Sequence, residues 1–150
     1  MNTLESLTSN SMIVPQNLNI TYQKDTNLTD SENEMAKSRK IMTRIAMVSN
    51  LIASSSRLGL SNTIISGLDV YKYLLLSNAM MMCQKGVING NIQGMNVITS
   101  PYIKSNKIII MRNTQKTENG LNVINCPNDM RYFLKETPNF EKCINWFEVN

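Results

Sequence analysis

The stretch SENEMAKSRKIMTRIAMVSNLIASSSRLGLSNTIISGLDVYKYLLL, residues 31–76, decides the fold of this chain. It begins with a helix-start signal, because Ser31 and Glu34 have the spacing of a capping box. Apolar side chains then recur at helical spacing and form one face of a long helix: Ile41, Ile45, Val48 and Ile52. Gly59 predicts the end of this helix, since glycine readily adopts the left-handed conformation of a helix stop.

The same stretch continues with a strand and a second helix. Residues 62–66, NTIIS, are rich in β-branched side chains and lie between turn residues, which is typical of a buried strand. Residues 69–82 predict a second helix with Val70, Tyr73 and Leu74 on one side. Thioethers and a thiol at residues 80–83, MMMC, suit a soft metal ion. Consecutive side chains on a helix point in different directions, however, and would not converge on one ion. We therefore interpret residues 80–83 as packing residues.

From residue 87 onward the pattern indicates short strands and turns. Glycine and asparagine within residues 87–94 predict a turn without the spacing of a phosphate loop. Residues 95–100 predict a strand, and the apolar run at residues 107–111 predicts a strand buried on both faces. Further predictions are a tight turn at residues 119–120, a strand at 121–124, and a final strand or short helix at a sheet edge within residues 143–149.

These elements predict an α+β protein. We expect residues 1–30 to form an extended or flexible N-terminal arm, in which residues 18–22 alternate like a strand. Residues 31–150 are then a single α+β domain: a long helix, a strand, a second helix and several mostly antiparallel or mixed strands. A chain of 150 residues is long enough to bury a core of its own.

The amino-acid composition argues against catalysis and against metal binding by this chain. There is no histidine to serve as base for a Ser or Cys nucleophile, although a Ser–Lys pair stays open in principle. The three cysteines, Cys83, Cys126 and Cys143, lack metal-ligand spacing and fit a reducing compartment. We therefore expect no enzyme, no metal, no cofactor and no small-molecule substrate. No apolar stretch is long enough to cross a membrane, so no membrane contact is expected either.

The net charge of +4 and the isoelectric point near 9.0 permit contact with nucleic acid without requiring it. Four side chains are candidates for a basic surface: Lys37, Lys40, Arg44 and Arg57. Tyr71 or Tyr73 could add a stacking surface. A solvated helix face explains the same charges. A small basic nucleic-acid-binding or regulatory protein is therefore an alternative to the function considered next.

One family resemblance follows from residues 52–74. Ile52-Ala53, Arg57, the NTIIS stretch at residues 62–66, Val70 and Leu74 resemble the helix–loop–strand–helix of the major capsid proteins of T4-type tailed phages. Residues 94–98, a Pro-Tyr turn and residues 107–110 are similar to paired strands of the HK97-type capsid fold. The loop between Arg57 and Asn62 is a residue longer and less rich in glycine than the family pattern.

The resemblance covers about residues 31–111 and implies the axial-domain portion only, because the chain lacks room for a spine helix, an extended loop and a complete peripheral domain. It implies a structural virion protein that is a major capsid protein or a fragment of one. The partners would be copies of the same chain and other capsid subunits, with at most weak nucleic-acid contact. The protein would be made in the host cytoplasm and reside in the virion.

Overall fold

The computed structural model describes residues 18–56, 59–77, 90–112 and 144–150. Within them the chain forms an α+β fold, in which a long helix precedes a mixed five-stranded sheet. The predicted fold class is confirmed. In chain order the elements are α1 (Asp30–Ser56), β1 (Thr63–Ser66), α2 (Tyr71–Leu76), β2 (Gly90–Ile92), β3 (Met95–Thr99), β4 (Lys107–Met111) and β5 (Ile144–Glu148).

Strand β1 lies at the centre of the sheet, whose strand order is β2-β3-β1-β4-β5. It pairs in parallel with β3, where Ile64 faces Val97, and antiparallel with β4, where Ile64 faces Ile110. Every residue of β1 and of β4 is buried. The predictions of a buried strand in residues 62–66 and of a doubly covered strand at 107–111 are confirmed, because strands inside a sheet exclude water on both faces.

Helix α1 packs its predicted apolar face across one side of this sheet. Ile41, Ile45, Val48 and Ile52 are each at most 1% exposed. They form one core with alternate strand residues on the facing side, which include Ile64, Val97, Ile108, Ile110 and Phe147. Each buried isoleucine contributes about 1.5–3 kcal/mol. Packing on the sheet, rather than intrinsic helix propensity, therefore stabilises α1.

The opposite face of the sheet is also buried. Ile65, Ile109 and Met111 lie there with at most 1% exposure. Lys107 is 2% exposed, and its ammonium lies 4.5 Å from the centroid of the Trp146 ring. A cation over an aromatic face recovers part of the cost of removing the charge from water. Lys107 is thus a structural residue of this face.

The capping box of α1 involves other residues than predicted. The Glu32 N–H donates to Thr29 Oγ1 over 3.1 Å, and the Thr29 N–H donates to Glu32 Oε1 over 3.0 Å. Ser31 lies within the helix, and the Glu34 carboxylate instead reaches Lys72 Nζ at 3.5 Å. The assignment of the box to Ser31 and Glu34 is therefore wrong by two residues.

The hydrogen bonds of the Asn33 side chain explain why the helix starts at this position. Its side-chain oxygen accepts hydrogen bonds from the Asp25 N–H at 2.8 Å and the Tyr22 hydroxyl at 2.7 Å. Its amide nitrogen donates to the carbonyls of Asp25 and Thr29. A buried amide with this many partners fixes the turn before the helix, so that Thr29 rather than Ser31 stands at the start.

Helix α2 is shorter than the predicted span of residues 69–82. Residues 68–70 form a turn before it, in which the N–H groups of Asp69 and Val70 donate to the Ser105 carbonyl at 2.9 and 3.2 Å. The helix ends at Leu76, because Ser77 is extended, with φ −75° and ψ 129°. Residues 78–82 lie outside the described part. Ser38 Oγ donates to the Tyr73 carbonyl at 2.6 Å and joins α1 to α2.

The turn predicted within residues 87–94 is a two-residue hairpin turn between β2 and β3. Gln93 and Gly94 have φ of 53° and 82°, and two positive values in succession match the twist of antiparallel strands. The Asn91 side-chain oxygen accepts a hydrogen bond from the Gly94 N–H at 3.1 Å. Sequence reasoning missed β2, which has only three residues and includes a glycine.

The C-terminal pattern forms a strand, β5, which pairs antiparallel with β4. Beyond it, Ile20 makes a parallel bridge to Val149: its N–H donates to the Glu148 carbonyl, and its carbonyl accepts from the Asn150 N–H, both at 2.8 Å. Leu18 and Ile20 are buried. Several predictions lie outside the described residues: the MMMC stretch at 80–83, the turn at 119–120, the strand at 121–124, and all three cysteines.

Candidate functional site

A groove lies between the extended segment 19–22 and the face of α1 that turns toward it. Its volume is about 630 Å³. Because residues three and four apart on a helix share a side, α1 presents several long side chains to the same space. The groove is lined by Asn19, Ile20, Thr21, Tyr22, Ala36, Arg39, Lys40, Thr43 and Arg44. We call it the basic groove.

Arg44 fixes one end of the basic groove. Its Nη1 donates to the Leu18 carbonyl at 2.6 Å, and the side chain is half-buried. A guanidinium has five N–H donors in a rigid fork, so a single bond leaves donor capacity for a further acceptor. Arg44 therefore holds segment 18–22 against the helix and keeps positive charge at the groove wall.

Tyr22 and Lys40 stand near the other end. The Tyr22 hydroxyl is held by the Asn33 side chain, which is 5% exposed as a residue. The Lys40 ammonium lies 5.9 Å from the centroid of the Tyr22 ring. Because the hydroxyl is tethered, the half-buried ring has a defined orientation beside the cation. Arg39, which is exposed, adds a third cation to the wall.

Lys37 faces a different cavity, of about 370 Å³. Its ammonium lies 4.8 Å from the centroid of the Tyr73 ring, and Lys72 lies 5.0 Å from the same ring. This cavity also contains carboxylates, since Asp30 and Glu34 line it. The predicted surface is thus distributed over two cavities, with Lys40 and Arg44 in the basic groove, Lys37 beside it, and Arg57 outside the described residues.

Tyr73, proposed as a stacking residue, is buried between these two lysines. Tyr71 packs partly against the core. Neither of them lines the basic groove. Sequence reasoning missed Arg39 and Tyr22 as groove residues. Arg39 lies one position before Lys40, but Tyr22 is remote in sequence and only the folded chain brings it to α1.

The ion pairs of the described residues do not involve the cations that line the basic groove. Lys24 pairs with Asp30, Lys72 with Glu34 and Lys104 with Glu148. The hydrogen bond and charge of Asp30 raise the pKa of Lys24, and Lys24 in turn lowers the pKa of Asp30. Among the described residues, no carboxylate pairs with the cations that line the basic groove. Within the described part of the chain, no ion pair therefore neutralises the positive charge of the groove.

Two exposed side chains follow the ends of the parallel strands β1 and β3, at the same end of the sheet. Leu68, in the turn after β1, is 57% exposed, and Tyr102, in the turn after β3, is 69% exposed. The Gly67 N–H donates to the Lys107 carbonyl at 2.8 Å, which joins the turn after β1 to the start of β4. We call Leu68 and Tyr102 the loop-end pair. It presents apolar surface on well-anchored backbone.

Two further findings limit the chemistry of the described part. Its side chains contain no cluster of three or more His, Cys, Asp or Glu residues that could hold a metal ion. Of the helices described, none combines the length and the apolar character that crossing a bilayer demands.

No protein-family model, curated protein or solved structure matches this chain. Its architecture is that of an α+β protein in which a long helix packs on a mixed five-stranded sheet.

Proposed function

We propose that this chain is a structural virion protein: the axial-domain portion of an HK97-type major capsid protein, which self-associates in a phage shell. In this proposal it is made in the host cytoplasm and becomes part of the virion. No side chain performs a reaction. The function lies in repeated interfaces with copies of the chain and with other capsid subunits, as in other symmetric assemblies.

The observation that carries the proposal is the position of β1 in the sheet. The resemblance to T4-type capsid proteins rests on residues 52–74, 94–98 and 107–110. The central strands β1, β3 and β4 come from these residues, and β1 pairs directly with both β3 and β4. Because β1 lies between them, β3 and β4 are not paired with each other, unlike the paired strands that the resemblance implies. Stretches that are separate in sequence but carry the same resemblance thus meet in one unit, which supports their belonging to one fold pattern.

The loop-end pair supports self-association. Leu68 and Tyr102 are more than half exposed, and a neighbouring subunit that covered them would remove their apolar surface from water. Aromatic and apolar anchors of this kind concentrate the energy of protein interfaces. The backbone beneath them is anchored, since the Asp69 N–H donates to the Ser105 carbonyl at 2.9 Å. A neighbouring subunit would meet a preorganised surface.

The test is the size of the full chain, measured by size-exclusion chromatography with light scattering and by electron microscopy. Discrete rings or shells are the expected result. The variant Leu68→Ser/Tyr102→Ser should dissociate them. Leu60→Ser is the matched control, because Leu60 is 59% exposed but precedes β1 and so lies toward the opposite end of that strand. A chain that stays monomeric at its highest soluble concentration contradicts the proposal.

A further inference from the structure

We propose that the basic groove binds single-stranded nucleic acid, with Arg39, Lys40 and Arg44 on the phosphates and one base stacked on the ring of Tyr22. This assignment goes beyond the capsid proposal and rests on the groove alone. The ligand is identified by its chemistry, a flexible polyanion that carries exposed aromatic rings.

The charges are the first step of the argument. Three cations line one groove, and no carboxylate among the described residues pairs with them. Arg44 donates one N–H to the Leu18 carbonyl, and this bond fixes the position of the guanidinium. Its other N–H groups can donate to a phosphate oxygen. Phosphodiesters are the anions that such forked donors match best, since two oxygens of one phosphate can accept together.

The aromatic ring is the second step. Tyr22 lines the same groove as the cations, and its hydroxyl is bonded to Asn33 rather than to the groove. The ring is therefore held as a fixed surface, with the Lys40 ammonium 5.9 Å from its centroid. A positively charged groove combined with an aromatic platform is the arrangement by which proteins hold single strands without reading their sequence.

The combination of three cations and an aromatic ring favours single-stranded nucleic acid over other polyanions. An acidic peptide would use the cations but has no base to stack on Tyr22. A duplex keeps its bases stacked inside and offers none to the ring. From Ala36 to Arg44 the groove wall spans about 12 Å along the helix axis, at ~1.5 Å per residue. That length accommodates a few nucleotides, which is at the lower end of single-strand site sizes.

The test uses the full chain and fluorescence anisotropy with a labelled oligothymidylate of about fifteen nucleotides. The expected slope of log Kd against log salt is about 2, since three phosphate contacts contribute ~0.7 each on a single strand. Arg39→Gln/Lys40→Gln should weaken binding at low salt and reduce the slope to about 0.7. The control Lys72→Gln/Lys104→Gln removes the same charge from lysines outside the groove and should keep the slope.

Tyr22 separates this proposal from simple charge attraction. Tyr22→Leu should weaken binding about tenfold at every salt concentration, because the lost stacking is not electrostatic. Tyr22→Phe keeps the ring and should retain most of the affinity. Tyr102→Leu, on an exposed tyrosine of the loop-end pair, is the control. Denaturation curves of all variants confirm that each is folded.

Three outcomes overturn the assignment. They are no binding at low salt, an affinity insensitive to Tyr22→Leu, or equal binding of polyglutamate, which would assign the groove to an acidic peptide. The oligonucleotide-binding test and the assembly test can fail independently of each other. A chain that assembles without binding oligonucleotide overturns only the groove, and a monomer that binds overturns only the assembly.

Discussion

Arg44 on α1 donates a hydrogen bond from Nη1 to the carbonyl oxygen of Leu18 at 2.6 Å. This contact joins residues that are 26 positions apart in the chain. It holds the segment that extends the sheet beyond β5 against the middle of the long helix. The same side chain forms a wall of the basic groove, so the groove and the N-terminal segment depend on one residue.

Replacing Arg44 should loosen that segment. In Arg44→Gln the shorter side chain loses the bond to Leu18, which is worth about 1 kcal/mol for a half-exposed charged donor. The Ile20 and Asn150 amides, which bond across the bridge to β5, should then exchange their hydrogens about fivefold faster. Amide hydrogen exchange measures this. Lys40→Gln, which removes a charge but no such bond, should leave both rates unchanged.

The helix start offers a second prediction. Thr29→Ala should lower the free energy of unfolding by about 1 kcal/mol, because Thr29 Oγ1 is the acceptor for the Glu32 N–H. Ser31→Ala is the control and should change stability by less than about 0.5 kcal/mol. Urea denaturation gives both values. A larger loss of stability in Ser31→Ala than in Thr29→Ala would instead support a capping box formed by Ser31 and Glu34.

Glu32 gives a prediction for acid stability. Hydrogen bonds from the Thr29 backbone and side chain lower the pKa of Glu32 below its usual value of 4.5. A carboxyl whose pKa is lower in the folded state stabilises the fold above its unfolded pKa, and the contribution is lost as the pH falls through the folded pKa. Stability should therefore decline below about pH 4.5 through this group.

In Glu32→Gln that part of the decline should be absent, because glutamine can still accept the Thr29 N–H but does not titrate. The measurement is the urea midpoint of both proteins from neutral pH down through the carboxylate range. Parallel curves for the two proteins would show that Glu32 does not contribute.

Gly67 tests the packing of the loops at the sheet edge. A Cβ atom at this position would overlap the carbonyl oxygen of Lys104 and the backbone of Ser105. Gly67→Ala should therefore destabilise the protein by about 3 kcal/mol or more, since backbone atoms must move. Gly94→Ala is the comparison: its Cβ meets no atom within 4 Å, and only the φ of 82° opposes it, at about 1 kcal/mol. Thermal denaturation ranks the two, and equal losses would contradict this packing.

The local elements could be predicted because the physics that forms them is local. The helical period of Ile41, Ile45, Val48 and Ile52 sets which face of α1 is buried, and the structure buries all four. The apolar run at residues 107–111 requires a strand covered on both sides, as β4 is. These patterns compare side chains a few residues apart, and that spacing is present in the sequence.

The first residues of the helices were harder to predict, because more than one residue near each start could serve as the cap. Two Ser/Thr–Glu pairs near position 30 have the spacing of a capping box. The choice between them comes from Asn33, whose amide bonds to the Asp25 and Thr29 carbonyls of the preceding turn. Likewise, α2 starts only at Tyr71, after a turn whose Asp69 and Val70 amides bond to Ser105 in a distant loop.

By itself, the sequence determined that this protein has a long amphipathic helix, buried β-branched strands and a mildly basic surface. Tertiary structure alone decided that β1 pairs in parallel with β3 and antiparallel with β4. It also decided that Lys40 and Arg44 meet Tyr22 in one groove while Lys37 turns to Tyr73. The physical reason is that local spacing fixes the side of an element on which a residue lies, whereas only packing between distant segments fixes what that side meets.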